Sequence, residues 1–156
     1  MTENFPEIKK IIEEILAKMD FSGEVAVSRD DFNFARADIE SAEARWLIGK
    51  DAENLKALQQ ICRVILNKKL GETAPRFIMD INHYRQDRLD SLTKMAQNLA
   101  REVLETGESR WLPPMSSFER RAVHLTLADF TGVKTESEGE TGERQVVIKP
   151  AGATNN

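Results

Sequence analysis

The apolar residues of this chain change their spacing several times, and that switching constrains the fold more than any other feature. Ile8, Ile11, Ile12, Ile15, Leu16 and Met19 recur at intervals of three and four, which predicts an amphipathic helix over 6–19. Pro6 stands in the first turn, where a proline is tolerated. Phe21-Ser22-Gly23 breaks the pattern, and residues 24–28 and 32–39 then read as extended, joined by Arg29-Asp30-Asp31 as a hairpin. A short helical stretch over 43–50 leads to Leu55, Leu58, Ile61, Cys62 and Ile65, which return to helical spacing as far as Lys69. Gly71 and Pro75 end that helix, and Phe77, Met79 and Ile81 alternate as a third strand.

The second half repeats the mixture without repeating the sequence. A long helix starts near Tyr84, with Leu89, Leu92, Ala96, Leu99 and Val103 on one face, and Gly107 terminates it. Trp111-Leu112 is extended, and Pro113-Pro114 forces an irregular turn. Ser116 with Glu119 is a capping box in front of a helix reaching about Asp129. Residues 133–135 and 144–149 are strand-like, with the glycine- and glutamate-rich 137–142 between them as a loop. The order is α-β-β-α-α-β through residue 83, then α-β-α-β-β over 84–150, with 151–156 as a flexible tail. That is an α+β chain of two compact units, each a small sheet packed against helices.

Composition removes several function classes. The longest apolar runs are a few residues, such as Val146-Val147-Ile148, so no membrane span or secretory signal is expected. One cysteine and two histidines, His83 and His124, leave no basis for a disulfide frame, a metal site or a cofactor. The net charge of −4 argues against nucleic acid until it is divided along the chain. Residues 1–44 carry −6, residues 45–88 carry +4 and residues 89–156 carry −2. A local basic surface attracts phosphate over roughly one Debye length, ~8–10 Å at physiological salt. Lys68 and Lys69 have a simpler role, as positive charge at a helix C-terminus.

Two places carry candidate chemistry. At Leu47-Ile48-Gly49-Lys50-Asp51-Ala52 a glycine turn lies between two helices inside the basic segment. Such a turn lets a phosphate approach the backbone, and the next helix offers free N–H groups, but a glycine there also serves as a plain turn residue. The second place is Arg120, Arg121 and His124, where Arg120 and His124 lie about 40° apart on one helix face. They read either as a phosphate grip or as an arginine packed on a local carboxylate beside a structural histidine. Phe118, Ala122 and Leu125 form an apolar sector. Base stacking is one reading of Tyr84, but it is expected instead to pack between the two halves, and by the same weighing Trp46 and Trp111 are expected to close core edges.

These residues and this element order resemble known domains. Ile48-Gly49-Lys50, after two strands and before Leu55-Lys56-Ala57-Leu58-Gln59, resembles the I-G-x-x-G element of a KH domain. The order α-β-β-α-α-β resembles its bacterial type II form. KH domains clamp the backbone of about four unpaired nucleotides with that loop. The motif's second glycine is replaced by Ala52, a cost if positive φ is needed there. Asp51 puts a negative charge in the loop, or caps the helix beginning at Ala52. Arg120-x-x-x-His124, with Leu112-Pro113-Pro114-Met115 before it and Arg144 to Pro150 after it, resembles the R-three-H signature.

A KH domain over 6–83 followed by an R-three-H domain over 84–150 resembles the bacterial Jag (SpoIIIJ-associated) family, from about Ile8 to Pro150. Typical members carry a separate N-terminal Jag domain, which this chain is expected to lack. The resemblance implies a non-catalytic, cytoplasmic protein that binds single-stranded RNA or ssDNA. It implies an RNA chaperone or post-transcriptional regulator linked to cell-envelope homeostasis, associated with a small KH-only protein. The implied nucleic-acid-binding residues are Gly49, Lys50, Asp51, Ala52, Lys56, Arg120, Arg121 and His124. The alternative is a protein–protein interaction module of the same fold with weakened or lost RNA affinity, which Asp51, Ala52 and the acidic total favour. Catalysis by His124 with Glu119 is not expected, because the two lie about 140° apart on the helix.

Overall fold

The structure is a computed structural model that describes residues 4–29 and 34–152. The chain divides into two compact units, 1–85 and 86–156.

In the first unit, α1 (Phe5–Lys18) carries Pro6 in its first turn and buries Ile8, Ile11, Ile12 and Leu16. Met19 falls just past the helix end and is exposed, not part of the apolar face. Strands β1 (Glu24–Arg29) and β2 (Ala35–Glu40) pair antiparallel, with Val25 opposite Ile39 and Val27 opposite Ala37. The expected turn at Asp30-Asp31, and Phe32 and Asn33 of the expected strand, lie outside the described residues. Phe34 precedes β2 and is exposed.

Strand β3 (Phe77–Ile81) runs parallel to β2, with Ala35 opposite Phe77, Ala37 opposite Met79 and Ile39 opposite Ile81. Parallel neighbours need a long crossover, and here it passes through helices. The path is α2 (Ala44–Ile48), a single 3-10 turn at Lys50–Ala52, α3 (Glu53–Leu70) and a second such turn at Gly71–Thr73. Leu55, Leu58, Cys62 and Leu66 of α3 join the α1 isoleucines and Phe77, Met79 and Ile81 in one core. Ile61, expected on the buried stripe, is 50% exposed. It stands about 100° around the helix from the centre of the stripe, and Leu66 fills the place instead. Burial pushes the Cys62 thiol up to about 11. Lys69 bonds Glu7 at 2.9 Å, so this end of α3 is tied to the start of α1.

Helix α4 (Tyr84–Thr106) begins with Tyr84 half-buried against the first unit's own core. Its later residues Leu92, Ala96, Ala100 and Val103 build the second core with Leu112, Met115, Val123, Leu127, Val146 and Ile148. The second sheet has the order β4-β6-β5, from β4 (Arg110–Trp111), β5 (Val133–Glu138) and β6 (Gln145–Pro150), all antiparallel. Helix α5 (Ser117–Leu127) starts at the expected capping box, with Ser116 and Glu119 bonding each other's backbone N–H.

Two expectations about this unit are corrected. Strand β5 runs on through Ser137 and Glu138, which pair with Val146 and Gln145, so the loop is shorter than 137–142. Its glutamates are held in the strand by Lys149, which bonds Glu136 at 2.7 Å and Glu138 at 2.9 Å. Trp111 does not close a core edge either. It is exposed, with its indole N–H donating to Glu138 at 3.3 Å.

Removing the Leu55 side chain, which is fully buried, is expected to cost about 2–5 kcal/mol, whereas Ile61→Ala should stay within about 0.5 kcal/mol. Urea denaturation of the two variants compares them, and equal losses would contradict this assignment of the α3 faces.

Candidate nucleic-acid interface

The turn between α2 and α3 is built from unusual backbone. Gly49 has φ 71° and ψ −178°, a conformation essentially confined to glycine. A Cβ at Gly49 would lie 2.6 Å from the Asn54 side chain. That side chain is fixed, because its amide donates to the Trp46 carbonyl at 2.7 Å. Asp51 and Ala52 follow with φ 50° and 60°, both in the left-handed region. For Ala52 this costs about 1–2 kcal/mol relative to a right-handed residue, where a glycine would be free. Its methyl is buried against the first core, which offsets part of that cost.

Asp51 does not cap α3. Ala52 holds the N-cap position, and no side chain accepts from the first turn. Helix α3 begins at Glu53, so Asp51 stands one residue before the N-cap position. Lys50 and Asp51 are both exposed, while Lys56 folds back so that its ammonium donates to the Asp51 carbonyl at 3.2 Å. Trp46 does not close a core edge as expected. It is exposed, with the Arg45 guanidinium 5.6 Å from its ring centroid. Among the sequence candidates, the structure thus brings Gly49, Lys50, Asp51, Ala52 and Lys56 into one turn. Sequence reasoning misses Trp46 because nothing local distinguishes an exposed tryptophan from a buried one.

Much of the basic middle segment is already engaged in holding the fold. Arg63 donates to the Phe77 carbonyl at 2.8 Å, and Arg85 donates to the Met79 carbonyl at 3.0 Å. Arg88 pairs with Glu119 at 3.0 Å. Burial pushes the Glu119 carboxyl up, but bonds from Ser116 and Arg88 outweigh it and hold it below the usual carboxylate range. Lys50 and Arg45 remain exposed at the Gly49 turn.

On α5 the second group is arranged around β5. The two nitrogens of His124 sit 2.7 Å from the Thr135 hydroxyl and 2.9 Å from the Ser137 hydroxyl. Burial, with the Arg120 charge adding to it, lowers the His124 pKa, so the ring is neutral at pH 7. Arg120 donates to the Met115 carbonyl at 2.9 Å, and Arg121 is exposed. His124 and Glu119 have separate partners, so they form no acid–base pair. The histidine therefore presents hydroxyl-bonded nitrogens, and the positive charge of this face comes from Arg120 and Arg121. Phe118 and Leu125, expected as an apolar sector, are 71% and 66% exposed.

Helix α5, packed on the β5-β6 hairpin with Arg120 and His124 four residues apart, lies within a recognised segment. Residues 90–150 match the R-three-H domain family. Three relatives extend the likeness to the first unit, all of them named RNA-binding protein KhpB. The protein from Lactiplantibacillus plantarum is 33% identical over 147 residues, which is 93% of this chain and 45% of that protein. The one from Bacillus subtilis is 36% identical over 115 residues, 72% of this chain and 55% of its own length. The one from Clostridium symbiosum is 29% identical over 140 residues, 89% of this chain and 63% of its own. The chain spans about half the length of these relatives. Among the described residues, no helix is long and apolar enough to cross a membrane, and no His, Cys, Asp or Glu cluster is placed to hold a metal ion.

Gly49→Ala is expected to destabilise the first unit by about 1–3 kcal/mol, read as a lower urea midpoint, because φ and Asn54 both exclude a Cβ. An unchanged midpoint would mean the turn is not as described. For His124 the folded pKa lies below the unfolded one, so the folded state binds fewer protons. The stability it confers is complete above about pH 6.5 and falls as the pH drops below that value. An NMR titration should place the His124 midpoint below that of an unfolded peptide, and a midpoint above it would contradict the hydroxyl-bonded neutral ring.

Proposed function

We propose that this chain binds single-stranded RNA, or ssDNA, in the bacterial cytoplasm without catalysing a reaction. On this reading residues 6–83 act as a KH domain and residues 84–150 as an R-three-H domain. The observation that carries it is the glycine turn at 49–52, a backbone reversal in front of α3 that sets the exposed Lys50 beside the exposed Arg45. The R-three-H match and the RNA-binding relatives that align across both units support it. Gly49 lets a sugar–phosphate strand approach the main chain, and Lys50 adds a mobile charge. Lys56 braces the turn through the Asp51 carbonyl rather than facing outward. On the second unit Arg120 and Arg121 supply the charge, while His124, Thr135 and Ser137 offer hydrogen-bonding groups beside them. The acidic total limits affinity, and each phosphate the cations neutralise makes binding fall with salt. Action as an RNA chaperone or regulator serving envelope homeostasis, beside a small KH-only protein, belongs to the same reading.

The exposed Phe118 and Leu125 favour a second reading, a protein–protein module with little RNA affinity. Affinity for an unstructured RNA, measured against salt, separates the two. Each phosphate neutralised contributes a slope of about −0.7 in log K against log salt. Replacing Arg120 and Arg121 by alanine should therefore flatten the slope by up to about 1.4, and Lys50→Glu should weaken binding. No RNA binding, or slopes and affinities unchanged in every variant, would leave the protein-module reading in its place.

A further inference from the structure

We propose that Trp46 is a stacking platform for an unpaired RNA base whose neighbouring phosphate lies at Gly49 and Lys50. The proposal rests on the RNA-binding reading above and adds a named contact to it. A tryptophan that is 66% exposed on a folded domain is uncommon, since so large an apolar ring normally finds cover. This one is not loose. Its carbonyl is held by Asn54 at 2.7 Å, and the following residue Leu47 is buried in the first core. The ring is therefore presented from an anchored backbone, which lowers the entropy lost when it orders against a ligand.

The surroundings choose the ligand chemistry. A cleft of about 430 Å³ is lined by Arg45, Trp46, Gly49, Lys50 and Asn54. Only one of these side chains is aromatic, two are cationic, one is an amide and one is absent. An apolar ligand would cover the two cationic side chains without giving them partners, at a cost of several kcal/mol in order of magnitude. A bare anion would leave the indole unused. A nucleotide satisfies all five, with a π face for the indole, a phosphate for Lys50 and Arg45, and base edges for Asn54. The Arg45 guanidinium, already 5.6 Å from the ring centroid, extends the same platform, because guanidinium planes also stack on bases. Asp51 and Glu53 are exposed near by but do not line this cleft. Gly49 has no Cβ, and the space one would fill is taken by the Asn54 side chain, which keeps Asn54 seated in the cleft wall.

The chain has two tryptophans, so its Trp111→Phe variant reports on Trp46 alone. The probes are a fluorescein-labelled oligoadenylate octamer, the same unlabelled RNA, and an octamer of abasic ribose phosphate. Binding of oligoadenylate should quench Trp46 emission, and the abasic octamer should quench it much less. Trp46→Ala should weaken oligoadenylate binding by roughly five- to a hundredfold, the range that one base stack supports. Trp46→Phe should restore most of that loss, and circular dichroism of both variants should match the parent. If the labelled RNA binds but Trp46 emission is unmoved and Trp46→Ala binds equally well, the stacking role is wrong while the RNA-binding reading stands. Equal quenching by the abasic octamer also overturns the stacking role. If no oligonucleotide binds, both fall together.

Discussion

The parallel pairing of β2 with β3 is the constraint from which the first unit's functional surface follows. Two neighbouring strands pointing the same way cannot be joined by a tight turn, so the chain must travel back along the sheet before it re-enters. That return occupies residues 41–76, and its apolar residues cover the sheet as α3. A short helix leaving β2 and a long one approaching β3 must change direction between them. The change is made in four residues, with Gly49, Asp51 and Ala52 all at positive φ. The exposed turn is therefore a by-product of sheet topology, and its main-chain approach comes with the fold. The small Ala35 and Ala37 opposite Phe77 and Met79 show the same economy, as bulk on one strand is met by its lack on the next.

The second unit solves a different problem, that of orienting an imidazole. A histidine on a helix is free to turn about its side-chain bonds. Here Thr135 and Ser137, two residues apart and so on one face of β5, take one ring nitrogen each. Glu136 and Glu138 alternate to the other face, where Lys149 bridges them. One strand thus serves two neighbours by simple alternation, with hydroxyls toward α5 and carboxylates toward the ammonium. The capping box at Ser116 sets where α5 begins, and hence where Arg120 and His124 point. Arg88 of α4 grips the same Glu119 carboxylate, so the start of α5 is tied to α4 as well.

Sequence reading recovered those features whose causes are local. The capping box, the proline at the start of α1 and the order of elements depend on neighbours within a few residues. Positions that failed depend on partners distant in the chain or on the exact phase and start of a helix. Ser137 and Glu138 resemble loop residues until Val146, Gln145 and Lys149 are brought opposite them. Ile61 looks like a core residue until the full α3 stripe, ending at Leu66, is laid out. Asp51 has the chemistry of a cap, but the start of α3 at Glu53 puts Ala52 in the capping place instead. Ala52 is the instructive middle case. The sequence states the condition, that alanine is costly if positive φ is required, and the structure supplies its value, 60°.

Cys62 lies at 1% exposure in the first core, with its thiol held protonated well past neutrality. Thiol-directed reagents need both access and a thiolate, and this side chain offers neither. The native chain is therefore already a blank background for maleimide chemistry. A second cysteine placed on the surface would carry the only reactive sulfur, so spectroscopic probes or crosslinkers could be attached at a chosen position without first removing the natural one.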